Sequence, residues 1–181
     1  MTRLATPSRE TAPADSRPLL DAVLAKFGIL PNLFRVCALS PTSLGGLLSL
    51  HEANSKAFDA KTRERIAIAV AQVNGCDYCL SAHTYIGTNL AKLTADDAAL
   101  NRKASSTDAK AAVAVRFAAK VAERRGHVSD DDIGAVKAAG YSEAQVIEII
   151  SLVAENVLTN FVNNVAQTEI DFPALRASQA A

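Results

Sequence analysis

The sequence predicts an all-α protein, a bundle of about eight helices, and three observations support this. Alanine, the best helix former, occupies 35 of the 181 positions, while aromatic residues make up 5% and tryptophan is absent. Apolar residues recur at spacings of three and four, and the two-residue alternation typical of strands is almost absent. Capping residues and glycines delimit segments of helical length along the whole chain.

The individual helices follow from these start and stop signals. A first helix is predicted from Pro18, a first-turn proline, to about Phe27, with Gly28 as its stop. A short turn or helix follows over 31–39. Ser142 and Gln145 have the spacing of a capping box at the start of the last helix. The other predicted helices begin with N-cap residues or a cysteine and span about 40–58, 59–75, 76–89, a short segment from 94, 108–126, 129–140 and 142–169.

The helix predicted over 59–75 has a clear apolar face. Ile66, Ala69, Val70 and Val73 follow the spacing of residues that share one side of a helix. We therefore expect this face to be buried against other helices.

The length and patterning indicate one domain with terminal extensions. Residues 1–17 are predicted as a flexible arm, 18–172 as a single helical domain, and 173–181 as a tail. The 19 basic and 19 acidic residues balance, so no basic excess favours nucleic acid and no polybasic segment favours a membrane. No secretory signal or long apolar run is evident, which predicts a cytoplasmic protein.

Two of the three cysteines form the most informative motif. Cys76 and Cys79 make a CxxC, and His83 follows four residues later. On a helix these three residues share one face, and the spacing of the two cysteines is compatible with a disulfide. An odd cysteine count argues against a disulfide-stapled secreted fold.

The position of the motif also affects thiol reactivity. Gly75 interrupts the preceding helix, so Cys76 is expected in the first turn of a new helix, where the dipole favours a thiolate. His83 lies one turn beyond Cys79 and is placed to accept its proton. Helix-end electrostatics therefore favour Cys76 as the more acidic thiol, while the nearby histidine favours Cys79.

Three other interpretations of the pair compete. A zinc site would need four ligands, and neither a second CxxC nor an HxxxH is present. Two inert core cysteines are a second possibility. A thioredoxin-type motif would need a strand before the CxxC, where this sequence predicts a helix.

The segment 63–83 resembles the core of the AhpD-like alkylhydroperoxidases of the carboxymuconolactone decarboxylase superfamily. The similarity is carried by the runs RERI (63–66), AVAQVNGCDYC (69–79) and AH (82–83). A glutamate twelve residues before the CxxC and a histidine four after it match the family spacing. The core resemblance covers about 40–123, and the flanks resemble the peroxidase-related branch.

The resemblance implies an all-α, AhpD-like subunit that assembles as trimers or hexamers and reduces hydroperoxides with thiols. Cys79 would be the peroxidatic thiol, and Cys76 the resolving partner and proton donor. His83 and Glu64 would form the proton relay. No flavin, haem or nicotinamide fingerprint is present, so no tightly bound cofactor and no metal are expected. The electrons would come from an external dithiol, either lipoyl-type or thioredoxin-like.

One position departs from the family pattern. The residue before the second cysteine is Tyr78, where well-studied members have a histidine. A phenol is not a base near neutral pH, because its free pKa is about 10. Tyr78 is instead expected to line the substrate pocket, where it would donate a hydrogen bond or stack on a substrate.

The other polar and thiol residues receive simpler interpretations. Cys37 is predicted in the core and His127 in a solvated loop, and His51 is either structural or part of the pocket wall. The last helix carries a stripe of amides that we expect to form hydrogen bonds at a helix or subunit interface: Asn156, Asn160, Asn163 and Asn164.

Two alternatives to the thiol peroxidase stay open. A carboxymuconolactone-decarboxylase-type lyase would use Glu64 and His83 as acid and base and would not need the cysteines. A non-enzymatic module would use the same residues for redox sensing or metal binding.

Overall fold

The computed structural model describes residues 2–179, and within that range it contains nine α-helices, two 3₁₀ turns and no β-strand. This confirms the predicted all-α class. Met1, Ala180 and Ala181 lie outside the described residues, and with them the outer ends of the predicted arm and tail. The helices are α1 (Arg17–Phe27), α2 (Asn32–Cys37), α3 (Pro41–Asn54), α4 (Ala60–Val73), α5 (Asp77–Asn89), α6 (Ala95–Arg102), α7 (Ala109–Glu123), α8 (Asp130–Ala138) and α9 (Glu143–Ala166).

Side-chain caps set most of the helix starts, as the sequence predicts. Each capping side chain accepts a hydrogen bond from the backbone amide three residues later, which satisfies a donor that has no partner within the helix. The capping box of Ser142 and Gln145 is present. The caps are Ser40, Asp59, Thr94, Asp108, Ser129 and Ser142.

Two helices end earlier than predicted. Helix α3 stops at Asn54 rather than near Phe58, because Arg63 binds the carbonyl of Ser55 at 2.9 Å and stabilises a turn there. Helix α9 stops at Ala166 rather than near Glu169. Its C-cap, Gln167, adopts a left-handed conformation with φ of 52°, and this ends the helix.

Helix α4 lies at the centre of the bundle and packs against α5, α6, α7 and α9. The predicted face is only partly correct, because every residue from Ile66 to Ala71 is buried while Val73 is 39% exposed. A helix that other helices cover on several sides has no single apolar stripe. This central position places the residues of α4 next to the CxxC helix.

The core consists of separate apolar clusters. One joins α4, α7, α8 and α9 around Phe117 and Ile149, and another joins α1, α2 and α3 around Leu20 and Leu44. The third cluster lies between α4, α5 and α6 and includes both Cys76 and Cys79. The cysteine pair is therefore part of the packed interior.

Both terminal segments run along the domain. The amide of Arg3 donates to the carbonyl of Ala166 at 2.7 Å, and Ala12 is buried. At the other end, the amide of Ala177 donates to Oδ1 of Asp77 at 2.8 Å. The C-terminal segment thus covers the start of the CxxC helix.

Helix α9 is long and apolar enough to pass as a membrane span, which the sequence analysis did not expect. An 18-residue window reaches a mean hydropathy of 1.3. Within the domain, however, nine residues of α9 are buried against other helices, and three of them are asparagines. Burial of this kind is typical of a core helix. The outer face also exposes large apolar residues: Ile147, Ile150, Leu158, Phe161 and Val165.

Candidate active site

The turn between α4 and α5 positions the first cysteine. Gly75 has a φ of +60°, a conformation that glycine adopts without strain. Cys76 then takes the N-cap position, and α5 begins at Asp77. The sequence analysis expected Cys76 one position further on, in the first turn. As the N-cap, Cys76 accepts with its sulfur a hydrogen bond from the amide of Cys79 at 3.4 Å.

The two thiols of the CxxC are free and buried, and they differ in acidity. Cys76 and Cys79 are 0% and 2% exposed. A hydrogen bond from the Cys76 thiol, the charge of His83 and nearby amides outweigh burial and lower the pKa of Cys79 to about 6. The same hydrogen bond, together with burial, raises the pKa of Cys76. Cys79 is therefore the thiolate of the pair.

An amide from α9 also contacts the reactive sulfur. Nδ2 of Asn163 donates to Sγ of Cys79 at 3.2 Å, and Asn163 is itself 3% exposed. A donor held on a rigid helix stabilises the thiolate more than the thiol, because hydrogen bonds to charged groups are the stronger ones. Asn160, one turn earlier, also lowers the pKa of this thiol.

Replacing Asn163 by leucine is expected to raise the pKa of Cys79 from about 6 to about 7. The substitution removes one hydrogen bond to the thiolate, and a loss of about 1.4 kcal/mol corresponds to one pKa unit. Oδ1 of Asn163 has no hydrogen-bond partner among the described residues, so the substitution leaves no new polar group unpaired on that side. The pKa is measured from the pH dependence of alkylation by a neutral reagent.

Asn164→Leu is the matched control, because Nδ2 of Asn164 donates to the backbone carbonyl of Asn74 and not to sulfur. The control is expected to keep a thiol pKa near that of the wild type. An unchanged pKa in Asn163→Leu would contradict the role of this amide.

A histidine and a glutamate flank the thiol on the other side. Nδ1 of His83 lies 2.8 Å from Oε2 of Glu64, and the carboxylate can only accept. Burial alone would lower the pKa of His83, but Glu64, the Cys79 thiolate and Glu155 outweigh it and raise the pKa to about 9. His83 is therefore a cation near neutral pH, one turn after the Cys79 thiolate on α5.

Close packing of α4 on α5 brings this pair together. A Cβ atom at Gly87 would lie 2.9 Å from Cδ1 of Leu93 and 3.5 Å from Cβ of Glu64. A Cβ here would meet Glu64 at an ordinary van der Waals distance and would displace only the flexible end of Leu93, so α4 and α5 lie close together at this point. Residues 19 positions apart thus meet across the helix contact.

Tyr78 occupies the position of the family histidine in a different role. Its hydroxyl accepts a hydrogen bond from the amide of Leu33 at 3.1 Å, and burial raises the pKa of the phenol. The ring packs edge-on against Phe172, with centroids 6.0 Å apart. Tyr78 therefore anchors the start of α2 as a neutral group and has no base function.

A cavity of about 430 Å³ adjoins this site. Tyr78, Ala82 and His83 line it, so the cavity borders α5 residues that neighbour Cys79. Most of the wall is apolar, as in typical small-molecule sites. The aromatic side chains on the wall are Phe27, Phe34, Tyr78, Tyr85 and Phe172.

A second histidine–carboxylate pair lies on the same cavity wall. Nδ1 of His51 is 2.8 Å from Oε1 of Glu155, and both residues line the cavity. His51 also contacts Phe27, with ring centroids 5.8 Å apart. Both sequence interpretations of His51 therefore apply, because His51 pairs with Glu155 and also lines the cavity.

The remaining thiol and histidine lie away from these contacts. Cys37 is buried in the cluster of α1–α3, as predicted, and burial raises its pKa to about 11. His127 is exposed in the loop before α8. No group of three or more residues placed to hold a metal ion occurs within residues 2–179.

Sequence reasoning missed two polar residues of the site. Asn163 was placed in an interface stripe, where Asn160 and Asn164 do bind Asn74, but its amide contacts the thiol. Glu155 was not singled out. The available signal was a run of four amides and one acid on a mostly apolar helix, which marks a polar strip facing the interior.

The fold and the site together define a class of thiol-containing helical proteins. Its features are an all-α domain, a buried CxxC, a following histidine and a glutamate from the preceding helix. The profile of the Carboxymuconolactone decarboxylase family matches residues 47–124, which include all four of these site residues. Residues 47–124 are therefore similar to this family, and the AhpD-like fold extends the similarity beyond them.

Solved structures share the fold over nearly the whole chain. An uncharacterized peroxidase-related protein from Ralstonia eutropha JMP134, described as an alkylhydroperoxidase AhpD core, is 26% identical with a TM-score of 0.82; the match covers 94% of this chain and 92% of that one. A peroxidase-related protein from Silicibacter sp. TM1040 is 21% identical with a TM-score of 0.78, covering 99% and 96%.

The debrominase Bmp8, in complex with 2,3,4-tribromopyrrole, is 20% identical with a TM-score of 0.79, covering 94% of this chain and 92% of that one. No protein of curated function shows significant sequence similarity to the chain.

Proposed function

We propose that this protein is a thiol-dependent peroxidase that reduces organic hydroperoxides through Cys79 and Cys76. The observation that carries the proposal is the acidic thiol of Cys79 one turn before the cationic His83, whose side chain lines an apolar cavity. Thiolates are the nucleophiles that react with peroxides. The cavity wall suits an alkyl or aryl group better than a small polar peroxide.

The first step is attack of the Cys79 thiolate on the terminal oxygen of the hydroperoxide. The S–O bond forms, the O–O bond breaks, and the alkoxide leaves and takes up a proton to become the alcohol. Cys79 is then a sulfenic acid. His83, held by Glu64, accepts the proton of the Cys79 thiol beforehand and keeps the sulfur ionised.

The second step closes the disulfide. The thiol of Cys76 attacks the sulfenic sulfur of Cys79, and water leaves with the Cys76 proton. The hydrogen bond between the two thiols supports this order, because Cys76 keeps its proton until the sulfenic acid has formed. Two electrons have then passed from the two thiols to the peroxide.

An external dithiol is proposed to restore the reduced pair by thiol–disulfide exchange. A lipoyl-type dithiol or a thioredoxin-like protein has the required chemistry, and the proposal needs no tightly bound cofactor. The partner must reach sulfurs that the C-terminal segment covers, where Arg176 pairs with Asp77 at 2.8 Å.

Reductive dehalogenation is a second candidate, favoured by the aromatic cavity wall. Here the thiolate would take the halogen from a halogenated ring, and the ring carbon would take a proton. Cys76 would then displace halide to form the same disulfide. Release of bromide ion from a bromoaromatic probe, without peroxide, would identify this reaction.

A thiol count tests the proposal without any mutation. The reduced protein has three cysteines, and one equivalent of cumene hydroperoxide is expected to lower the titratable thiols in denaturant from three to one. Peptide mapping should place the disulfide between Cys76 and Cys79. One equivalent of cumyl alcohol should appear with it.

Other outcomes assign the site differently. A retained count of three thiols would contradict the peroxidase and leave the lyase, in which Glu64 and His83 act as acid and base. Stoichiometric zinc in the purified protein, lost in Cys76→Ala, would favour the metal-binding module.

We further infer a cytoplasmic homo-oligomer, a trimer or hexamer. The exposed apolar face of α9 supports the homo-oligomer, because contiguous patches of large apolar residues mark interaction surfaces. Sedimentation of the purified protein measures the number of subunits.

A further inference from the structure

The cavity contains a second histidine–carboxylate pair that the proposed reaction has not used. His51 comes from α3 and Glu155 from α9, whereas His83 and Glu64 come from α5 and α4. All four side chains line the same cavity. The substrate would therefore bind between two histidines, each held through Nδ1 by a carboxylate at 2.8 Å.

The carboxylate of this second pair is fixed in place. Oε2 of Glu155 accepts a hydrogen bond from Nδ2 of Asn54 at 2.7 Å, and Oδ1 of Asn54 accepts one from the hydroxyl of Ser151 at 2.7 Å. Burial opposes ionisation of Glu155, but the bonds from His51 and Asn54 outweigh it and lower the pKa of the carboxyl. Both carboxylate oxygens are thus engaged and charged.

This arrangement sets the orientation of the His51 ring. Nδ1 must carry a proton toward Glu155, since a carboxylate only accepts. Nε2 makes no hydrogen bond to any residue from 2 to 179, and the side chain is 32% exposed at the cavity wall. The free nitrogen is available to a bound molecule.

The reaction needs a proton that His83 is poorly placed to give. Breaking the O–O bond leaves an alkoxide, a strong base that departs slowly unless an acid protonates it. His83 is hydrogen-bonded to Glu64, and the charges of Glu64 and of the Cys79 thiolate make it a weak acid. A separate donor in the same cavity would be available to the oxygen that leaves.

We propose that His51 is a second acid–base group of this cavity and donates, through Nε2, the proton that the departing alkoxide needs, with Glu155 as its positioning residue. This inference rests on the proposed peroxidase function. Sulfur gains the terminal hydroxyl, the alkoxide takes the His51 proton and leaves as alcohol, and His51 becomes neutral. It regains a proton from solvent when the external dithiol restores the pair, because Cys79 returns as a thiolate and one dithiol proton is released.

The test compares two oxidants that differ in their leaving group. Cumene hydroperoxide releases an alkoxide and needs an acid, whereas peracetic acid releases acetate and does not. Single-turnover oxidation of Cys79 in His51→Gln is expected to slow about 100-fold with cumene hydroperoxide, as for loss of a general acid. With peracetic acid the rate should stay within about twofold of wild type. Glu155→Gln should also slow oxidation by cumene hydroperoxide and not by peracetic acid, but by a smaller factor than His51→Gln.

His127→Gln is the matched control, because it makes the same chemical change at an exposed loop histidine. Alkylation of Cys79 by iodoacetamide, which needs no acid at the leaving group, reports an intact thiol in every variant. Equal slowing with both oxidants, or no slowing with either, overturns the role of His51. Failure of the wild type to react with either oxidant overturns the peroxidase itself, and this inference with it.

Discussion

Cys79→Ser is expected to reduce hydroperoxide no faster than the uncatalysed reaction, while Cys76→Ser should oxidise once and then stop. A serine hydroxyl is not ionised near neutral pH, so loss of the Cys79 thiolate removes the nucleophile. At position 76 the hydroxyl still donates a hydrogen bond to the Cys79 sulfur but cannot close a disulfide. The first chemical step is therefore preserved in that variant, and the second is lost.

The two variants are separated by trapping the intermediate. Cys76→Ser treated with one equivalent of cumene hydroperoxide should accumulate a sulfenic acid that reacts with dimedone at Cys79, detected by mass spectrometry. Cys37→Ser, a change at the buried thiol with a pKa of about 11, serves as the control and should behave as wild type. Dimedone labelling at Cys76 in Cys79→Ser would reverse the two roles.

His83→Gln is expected to shift the pH dependence of Cys79 oxidation to higher pH. In the wild type the rate should rise with a midpoint near pH 6, because the thiolate fraction increases as pH passes the pKa of Cys79. Without the histidine charge the pKa of Cys79 should rise toward the free value of about 8.5, and at that upper limit the thiolate fraction at pH 7 would fall about 30-fold. Glutamine keeps a hydrogen-bonding group but carries no charge.

The control for this variant is its rate of Cys79 oxidation at high pH. If His83 acts through its charge on the thiol, oxidation of His83→Gln at pH 9.5 should approach the wild-type rate. Glu64→Gln should shift the midpoint less, since the histidine is retained. A rate of His83→Gln at pH 7 equal to that of wild type would show that the cation does not activate Cys79.

The helices could be predicted from the sequence because the residues that start them act locally. Residues such as Ser40 and Asp59 cap the helices that follow them by bonding an amide three positions on, and this depends on no other part of the chain. The C-terminal ends of α3 at Asn54 and of α9 at Ala166 were harder to predict. One depends on the side chain of Arg63, and the other on a left-handed residue that is not a glycine.

The candidate site was accessible only in part. Cys76, Cys79 and His83 lie within eight residues on one helix, so their spacing already places them together. Glu64 entered only through family resemblance, because a glycine separates its helix from the CxxC helix. Asn163 carries no signal beyond its amide, since the sequence does not reveal which α4 or α5 residue an α9 side chain will meet.

The sequence by itself determined that the chain is all-α, where most helices begin, and that a CxxC with a following histidine lies at one helix start. These are properties of short segments, fixed by caps, glycines and helical spacing. The tertiary structure decided that Cys79 rather than Cys76 is the acidic thiol, because the Cys76 thiol donates to that sulfur, the charge of His83 acts on it, and Asn163 reaches it from α9. It also decided that His51 and Glu155 share the cavity, because only packing of α3 against α9 brings residues 104 positions apart to 2.8 Å.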